Sequence, residues 1–115
     1  MGFLSIFRKS QNVSVIPLNG IISPNIGRRK GLNLNEIDKN IEDAFSVKNL
    51  KAVALQINSP GGSPVQSEMI SKRIRSLSEK KSIPVIAFVE DVAASGGYWL
   101  ACSADEIFAS KASII

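Results

Sequence analysis

The chain has 115 residues, of which 44% are hydrophobic, and a formal net charge of +4 at pH 7. This length fits one domain with a single core, and the hydrophobic content excludes a disordered chain. The absence of histidine excludes a Ser-His-Asp triad, a Cys-His couple and a zinc site of the usual histidine and cysteine type. The single cysteine, Cys102, excludes an internal disulfide.

The basic residues do not indicate a nucleic-acid site. Apart from Arg28–Lys30 and Lys80–Lys81 they are spread along the chain, and no aromatic residue that could stack on a base lies next to these clusters. No apolar stretch approaches the roughly 20 residues that cross a bilayer. We therefore expect no nucleic-acid partner and no transmembrane segment, and a weak membrane-surface contact by Phe3, Leu4, Ile6 and Phe7 stays open. Asp105 and Glu106 are too few for a metal site, and we expect no cofactor.

The N-terminal part of the chain predicts a strand followed by a turn. Val13–Leu18 has the partial alternation of a strand. Pro17 favours the edge of a sheet or the end of a strand, because proline cannot donate a ladder hydrogen bond. The Asn-Gly pair that follows is a turn signal, after which Ile21–Ile22 is expected to return as a short strand. Residues 23–31 predict an exposed loop.

Two segments carry the signals of a helix start. Residues 33–47 begin with Asn33 as N-cap and have Glu36 three residues later as a capping-box partner. Residues 63–80 begin with Ser63 as N-cap, directly followed by a proline at the first helical position. Apolar residues recur at helical spacing in both segments, so each helix is expected to bury one face.

Three further runs predict strands, and a short helix from Tyr98 to Ser103 separates the last two. The runs are Ala52–Ile57, Pro84–Val89 and Ala104–Ala109. The first two are typical of strands that are buried on both faces of a parallel sheet. Strands and helices therefore alternate along the chain, which predicts an α/β domain with a mostly parallel sheet and right-handed crossover helices.

Two glycine pairs, Gly61-Gly62 and Gly96-Gly97, each follow a predicted strand and precede a helix. In an open parallel sheet both pairs would lie at the carboxyl edge, where sites form. Ser95, between small residues, could act as a nucleophile there, and the Gly96 N–H would point to where charge develops. A second donor would come from Gly61 or Gly62. Taken alone, each pair is more typical of an ordinary turn, with Ser95 as an ordinary N-cap.

Three motifs carry a family resemblance. Asn58–Ser63, Asp91–Tyr98 and Ala104–Ile107 resemble the S49 serine peptidase family of bacterial signal peptide peptidase A and SohB-like proteins. The resemblance extends from Val13 to the end of the chain, so residues 1–12 are interpreted as a tail and 13–115 as part of the peptidase domain. It implies a fold similar to that of Clp protease and the crotonases.

The resemblance also implies the roles of the site residues. Ser95 matches the nucleophile of a Ser-Lys dyad, Gly96 one oxyanion donor and the Gly61-Gly62 pair the other, whereas Gly97 and Tyr98 are assigned to substrate binding. The resemblance places the lysine base well downstream of the serine, beyond Ile115. Lys72, Lys80, Lys81 and Lys111 are expected to be solvated surface charges and not substitutes for it. The chain also stops on an apolar run, which is interpreted as truncation, so we expect negligible activity from it alone.

The functional prediction is a Ser-Lys endopeptidase that cleaves signal-peptide remnants or other unfolded peptides. The resemblance further implies a homo-oligomer, and the lack of the usual membrane anchor favours a cytoplasmic form, with membrane association left open. Two alternatives stay open: an inactive fragment or assembly module, and a crotonase-like acyl-CoA enzyme, which would use the same oxyanion geometry without a covalent serine.

Overall fold

A computed structural model describes residues 10–115. They form a four-stranded sheet in the order β1-β2-β3-β4, and all three strand pairs are parallel. The elements in chain order are β1 Asn12–Asn19, α1 Leu34–Phe45, β2 Leu50–Ser59, α2 Pro64–Lys81, β3 Val85–Ala93, α3 Gly96–Ala101 and β4 Glu106–Ala109. The predicted alternation of strands and helices and the mostly parallel sheet are confirmed. Most of the predicted N-terminal tail, including Phe3, Leu4, Ile6 and Phe7, lies outside the described residues.

The edge position predicted from Pro17 is confirmed, because β1 is the first strand of the sheet. The predicted return of Ile21–Ile22 as a hairpin strand is wrong. After the turn at Gly20, whose N–H donates to the Asn58 carbonyl at 2.9 Å, the chain continues in the direction of β1. Ile22 then forms a parallel bridge with Gly62. The ladder between the first two strands therefore extends up to the first glycine pair.

Both long helices begin at the predicted caps. The Asn33 side chain accepts from the Glu36 N–H at 3.0 Å, and the Ser63 hydroxyl accepts from the Gln66 N–H at 3.2 Å. The Gln66 side-chain oxygen accepts from the Leu34 N–H at 3.0 Å, so the starts of α1 and α2 are hydrogen-bonded to each other. The Ser63 cap sets where α2 begins, so that only this residue separates Gly62 from the helix.

The core lies on one face of the sheet only. Ile16, Leu55 and Ala87 point toward the helices and are almost completely buried, together with Ile70 and Ile74 of α2. The side chains on the opposite face of the sheet are partly or largely in solvent. Exposed examples are Val13, Val15, Gln56, Phe88 and Phe108. The prediction that the central strands are buried on both faces is therefore wrong for residues 10–115, because α1 and α2 pack on the same side.

An irregularity in the pairing of β2 with β3 positions the second turn. Ile57 is opposite Val89, but Ser59 is opposite Ala93, so β3 has two more residues than β2 over this interval. The two extra residues are taken up by the irregularity, so that Ala93, the last residue of β3, is level with Ser59, the last residue of β2. The residues after Ala93 therefore lie beside the first glycine pair. In the part of the chain that the structure describes, no helix is both long and apolar enough to cross a membrane.

Candidate active site

Ser95 occupies a sharp turn between β3 and α3. Its φ of 53° and ψ of −120° lie in a region that residues other than glycine rarely adopt, at a cost of about 1–3 kcal/mol. The turn is held by a hydrogen bond from the Gly97 N–H to the Ala94 carbonyl at 2.8 Å and by one from the Trp99 N–H to the Ser95 carbonyl at 3.1 Å. Ser95 is exposed, and its hydroxyl makes no capping hydrogen bond to the helix.

The first glycine pair lies directly against this turn. Gly61 and Gly62 have φ values of +103° and +144°, which favour glycine. A Cβ atom on Gly61 would lie 2.8 Å from the Gly96 nitrogen and 2.9 Å from the Ser95 Cβ. The structure therefore brings Gly61, Gly62, Ser95 and Gly96 together at the carboxyl edge of the sheet, where the sequence predicted them.

Hydrogen bonding distinguishes the two glycines of the first pair. The Gly61 N–H donates to the Ser59 hydroxyl at 3.1 Å, and the Gly61 carbonyl accepts from the Ile22 N–H at 2.9 Å. Because the peptide bond is trans, the Gly62 N–H points away from the Gly61 carbonyl and hence away from Ile22. Within residues 10–115 the Gly62 N–H donates to no protein atom.

The Gly96 N–H is the second free donor of this region, since it too has no protein acceptor among the described residues. A Cβ atom on Gly96 would lie 3.5 Å from the Gly62 nitrogen, so the two N–H groups are close neighbours. Two unpaired backbone donors beside an exposed hydroxyl can stabilise a developing negative charge by donating hydrogen bonds to it, as an oxyanion site requires.

Gly97 and Tyr98 have different surroundings. Gly97 is buried, and a Cβ atom there would lie 2.4 Å from the Ser59 carbonyl oxygen, so its backbone packs on the end of β2. Tyr98 is 45% exposed and lies beside Cys102. A hydrogen bond with the Cys102 thiol, followed by the charge of that group, raises the pKa of Tyr98. Cys102 itself is exposed.

Asn58, the first residue of the motif before Ser63 but without a predicted role, connects the two turns. Its side-chain oxygen accepts from the Val92 N–H at 3.2 Å, and its amide nitrogen donates to the Asp91 carboxylate at 3.4 Å. The signal that could have found Asn58 is its position as the last polar residue before Ser59 and the first glycine pair. The Asp91 carboxylate thus contacts Asn58 at the start of the serine turn.

The four lysines considered as substitutes for the base are all exposed. Lys72 pairs with Glu68 on an exposed face of α2 at 3.0 Å. Lys80 and Lys81 lie at the C-terminal end of α2, whose 18 residues separate them from the site by roughly 25 Å at 1.5 Å per residue. Lys111 is exposed in the turn after β4. Among residues 10–115, no group of histidine, cysteine, aspartate or glutamate side chains could hold a metal ion.

Comparison with known proteins identifies relatives of this chain. The model of peptidase family S49 matches residues 78–115, which include the serine turn. A Brucella melitensis protein named Na(+)/H(+) antiporter NhaA is 46% identical over 104 residues, which cover 90% of this chain and 14% of that protein. Protease 4 of Haemophilus influenzae is 32% identical over 111 residues, which cover 96% of this chain and 18% of that protein. The chain thus spans less than a fifth of the length of either relative.

Solved structures share the fold. A membrane-bound stomatin-specific protease superposes with a TM-score of 0.72 at 23% identity, over 93% of this chain and 48% of that one. A structure described as an enoyl-CoA hydratase/isomerase from Acinetobacter baumannii superposes with a TM-score of 0.57 at 19% identity, over 92% of this chain and 50% of that one. The predicted similarity to the Clp protease and crotonase fold is confirmed by these neighbours.

Proposed function

Because this chain belongs to peptidase family S49, we propose that it carries the nucleophile and the oxyanion site of a serine endopeptidase. The proposed substrates are signal-peptide remnants or other unfolded peptides, and the proposed assembly is a homo-oligomer in the cytoplasm. This chain matches only 14% of the Brucella protein, so the name of that protein says little about the matched part. The match to the S49 model, in contrast, includes the serine turn itself. The peptidase therefore has the stronger support.

The observation that carries the proposal is the exposed Ser95 hydroxyl next to the free N–H groups of Gly62 and Gly96. In the proposed reaction, Ser95 Oγ attacks the carbonyl carbon of the scissile peptide bond as its proton passes to a base. The carbonyl oxygen becomes an oxyanion and accepts from the two N–H groups. Collapse of this intermediate breaks the C–N bond, the amine leaves with a proton, and water then hydrolyses the acyl-enzyme.

The choice between the two glycines of the first pair follows from their hydrogen bonds. Since the Gly61 N–H is used by Ser59, we assign the second oxyanion donor to Gly62. Gly97 would act through the shape of the turn, because its backbone is packed against β2. Tyr98, which is exposed on α3, stays assigned to substrate binding.

The proposed base is a neutral lysine that lies beyond Ile115 or belongs to a partner subunit. Such a lysine would have to be buried so that its pKa falls far enough to accept the serine proton near neutral pH. This assignment is supported by the exposure of Lys72 and Lys111. It is also supported by the position of Lys80 and Lys81 at the end of α2 that is far from Ser95. We accordingly expect negligible peptidase activity from the 115 residues alone.

The test is covalent labelling by a fluorophosphonate, followed by intact mass and peptide mapping. A primary amine such as propylamine is added as a substitute for the absent base. We expect a single adduct on Ser95, formed at a rate that rises with amine concentration, and none in Ser95→Ala. Ser76→Ala, which removes an exposed serine on α2, is the matched control and should label like the parent chain.

The outcomes separate the functions considered. Labelling that persists in Ser95→Ala would refute the nucleophile assignment. A chain that folds but is not labelled at any amine concentration would favour the assembly module or the acyl-CoA enzyme, and binding of an acyl-CoA in calorimetry would then decide between those two.

A further inference from the structure

Ser59 is the last residue of β2, and its side chain is completely buried. The hydroxyl makes two hydrogen bonds at once: it donates to the Gly20 carbonyl at 2.6 Å and accepts from the Gly61 N–H at 3.1 Å. It thereby connects the turn after β1 with the first glycine pair, across 39 residues of sequence. A buried hydroxyl with both functions used is held in one orientation.

The main chain of Ser59 contacts the serine turn. Its carbonyl accepts from the Ala94 N–H at 3.1 Å, and the same oxygen is the atom on which Gly97 packs. One residue therefore touches both sides of the candidate site, with its side chain on the Gly61 side and its carbonyl on the Ser95 side.

The hydroxyl determines which N–H group is left free. By accepting from Gly61 it removes that N–H from the site, and it holds the residue at a φ of +103°. The peptide plane between Gly61 and Gly62 is then set by the bond from the Ile22 N–H to the Gly61 carbonyl. Because this peptide is trans, the Gly62 N–H points away from Ile22. Without the hydroxyl, the Gly61 N–H would lose its acceptor and the bond from the Ile22 N–H to the Gly61 carbonyl would be left to hold this residue, so the spacing of the Gly62 and Gly96 donors would be less firmly fixed.

We propose that Ser59 is a positioning residue of the peptidase: its hydroxyl orients the first glycine pair so that Gly62 and Gly96 donate to one oxyanion. This inference rests on the proposed function for its catalytic meaning, whereas the contact itself can be tested without any activity. A merely structural serine would stabilise the fold without changing the geometry of the two donors.

The experiment compares Ser59→Ala with Ser78→Ala in the whole 115-residue chain. Ser78 is the matched control, because it is also a buried serine, 5% exposed, whose hydroxyl donates to a carbonyl, that of Ile83 at 2.6 Å, at the far end of α2. The first readout is amide hydrogen exchange measured by NMR. We expect Ser59→Ala to accelerate exchange of the Gly61 amide at least tenfold, and Ser78→Ala to leave it unchanged once global stability is taken into account.

The second readout is the binding of a peptidyl boronic acid, which forms a tetrahedral adduct with a serine nucleophile. In the parent chain we expect the adduct to shift the amide resonances of Gly62 and Gly96. In Ser59→Ala the affinity should fall by about tenfold, less than the 10²–10³ effect on rate of removing a donor altogether. In Ser78→Ala both the shifts and the affinity should match the parent chain.

Two results would overturn the inference: unchanged exchange of the Gly61 amide in Ser59→Ala, or a loss of boronate affinity no larger than in Ser78→Ala. Should Ser59→Ala not fold, Ser59→Cys keeps a similar side-chain volume with a much weaker hydrogen-bonding group, and the same criteria apply. If the parent chain forms no adduct, or the adduct persists in Ser95→Ala, the proposed function fails. The Gly61 exchange still decides the Ser59 contact in that case.

Discussion

The two glycine pairs look alike in the sequence, but the structure uses glycine differently in each. Gly61 and Gly62 have positive φ values, whereas Gly96 and Gly97 are not among the positive-φ glycines. In the second pair a Cβ atom would lie 2.4 Å from a neighbouring atom at either position, the Ser67 hydroxyl or the Ser59 carbonyl. The first pair therefore requires glycine for its conformation and for space, and the second pair requires it for space alone.

The comparison also shows that the pair is not the functional unit. In each pair one N–H is used by the protein and the other is free: Gly61 donates to Ser59 and Gly97 to Ala94, whereas Gly62 and Gly96 donate to no described protein atom. The bound glycine fixes the position of the free one. Substitutions that introduce either backbone strain at a positive φ or overlap with a neighbouring atom can therefore test this difference between the two glycine pairs.

The largest effect is expected for Gly62→Ala. Its φ is +144° and its Cβ would lie 2.0 Å from the Ile22 carbonyl oxygen, so strain and overlap add. We expect a loss in the free energy of unfolding of about 3–5 kcal/mol, measured by urea denaturation.

Two matched variants separate the two terms. Gly20→Ala introduces strain at a φ of +89° with nothing within 4 Å, and Gly97→Ala introduces overlap without a positive φ. Each should cost about 1–3 kcal/mol. A Gly62→Ala variant no less stable than either of them would show that the first pair does not need glycine for both reasons.

A smaller effect, of opposite sign, is expected for Ser95→Gly. The positive φ of Ser95 is the conformation that glycine adopts without strain, so this variant should unfold with a free energy about 1 kcal/mol higher than the parent chain. Ser95→Ala keeps the strain and should match the parent in stability. Both variants should lose fluorophosphonate labelling, and an equal stability of the glycine and alanine variants would show that the turn is unstrained.

The smallest effect concerns the ionisation of Tyr98. It is the single tyrosine of the chain, so its titration can be followed without overlap from another tyrosine by absorbance near 295 nm. Because the neighbouring thiol raises the pKa of Tyr98, we expect Cys102→Ala to lower that pKa toward the ordinary value of 10.0. A titration midpoint that does not move in Cys102→Ala would mean that the two side chains do not interact in solution.

The sequence by itself determined the order of elements, the caps of both long helices and the edge position of β1. These features depend on residues within a few positions of each other, such as Asn33 with Glu36 or Ser63 with Gln66. The motifs around the glycine pairs also placed Ser95 and its proposed donors at one sheet edge, because parallel strands end on the same side.

Only the tertiary structure decided how that edge is built. The bond from the Gly61 N–H to the Ser59 hydroxyl joins residues two apart, but the bond from that hydroxyl to the Gly20 carbonyl spans 39 residues, and no local pattern contains it. The same holds for the direction of the chain after Gly20 and for the exposed face of the sheet. Which glycine N–H is free is a property of packed peptide planes, and these are fixed only when distant segments meet.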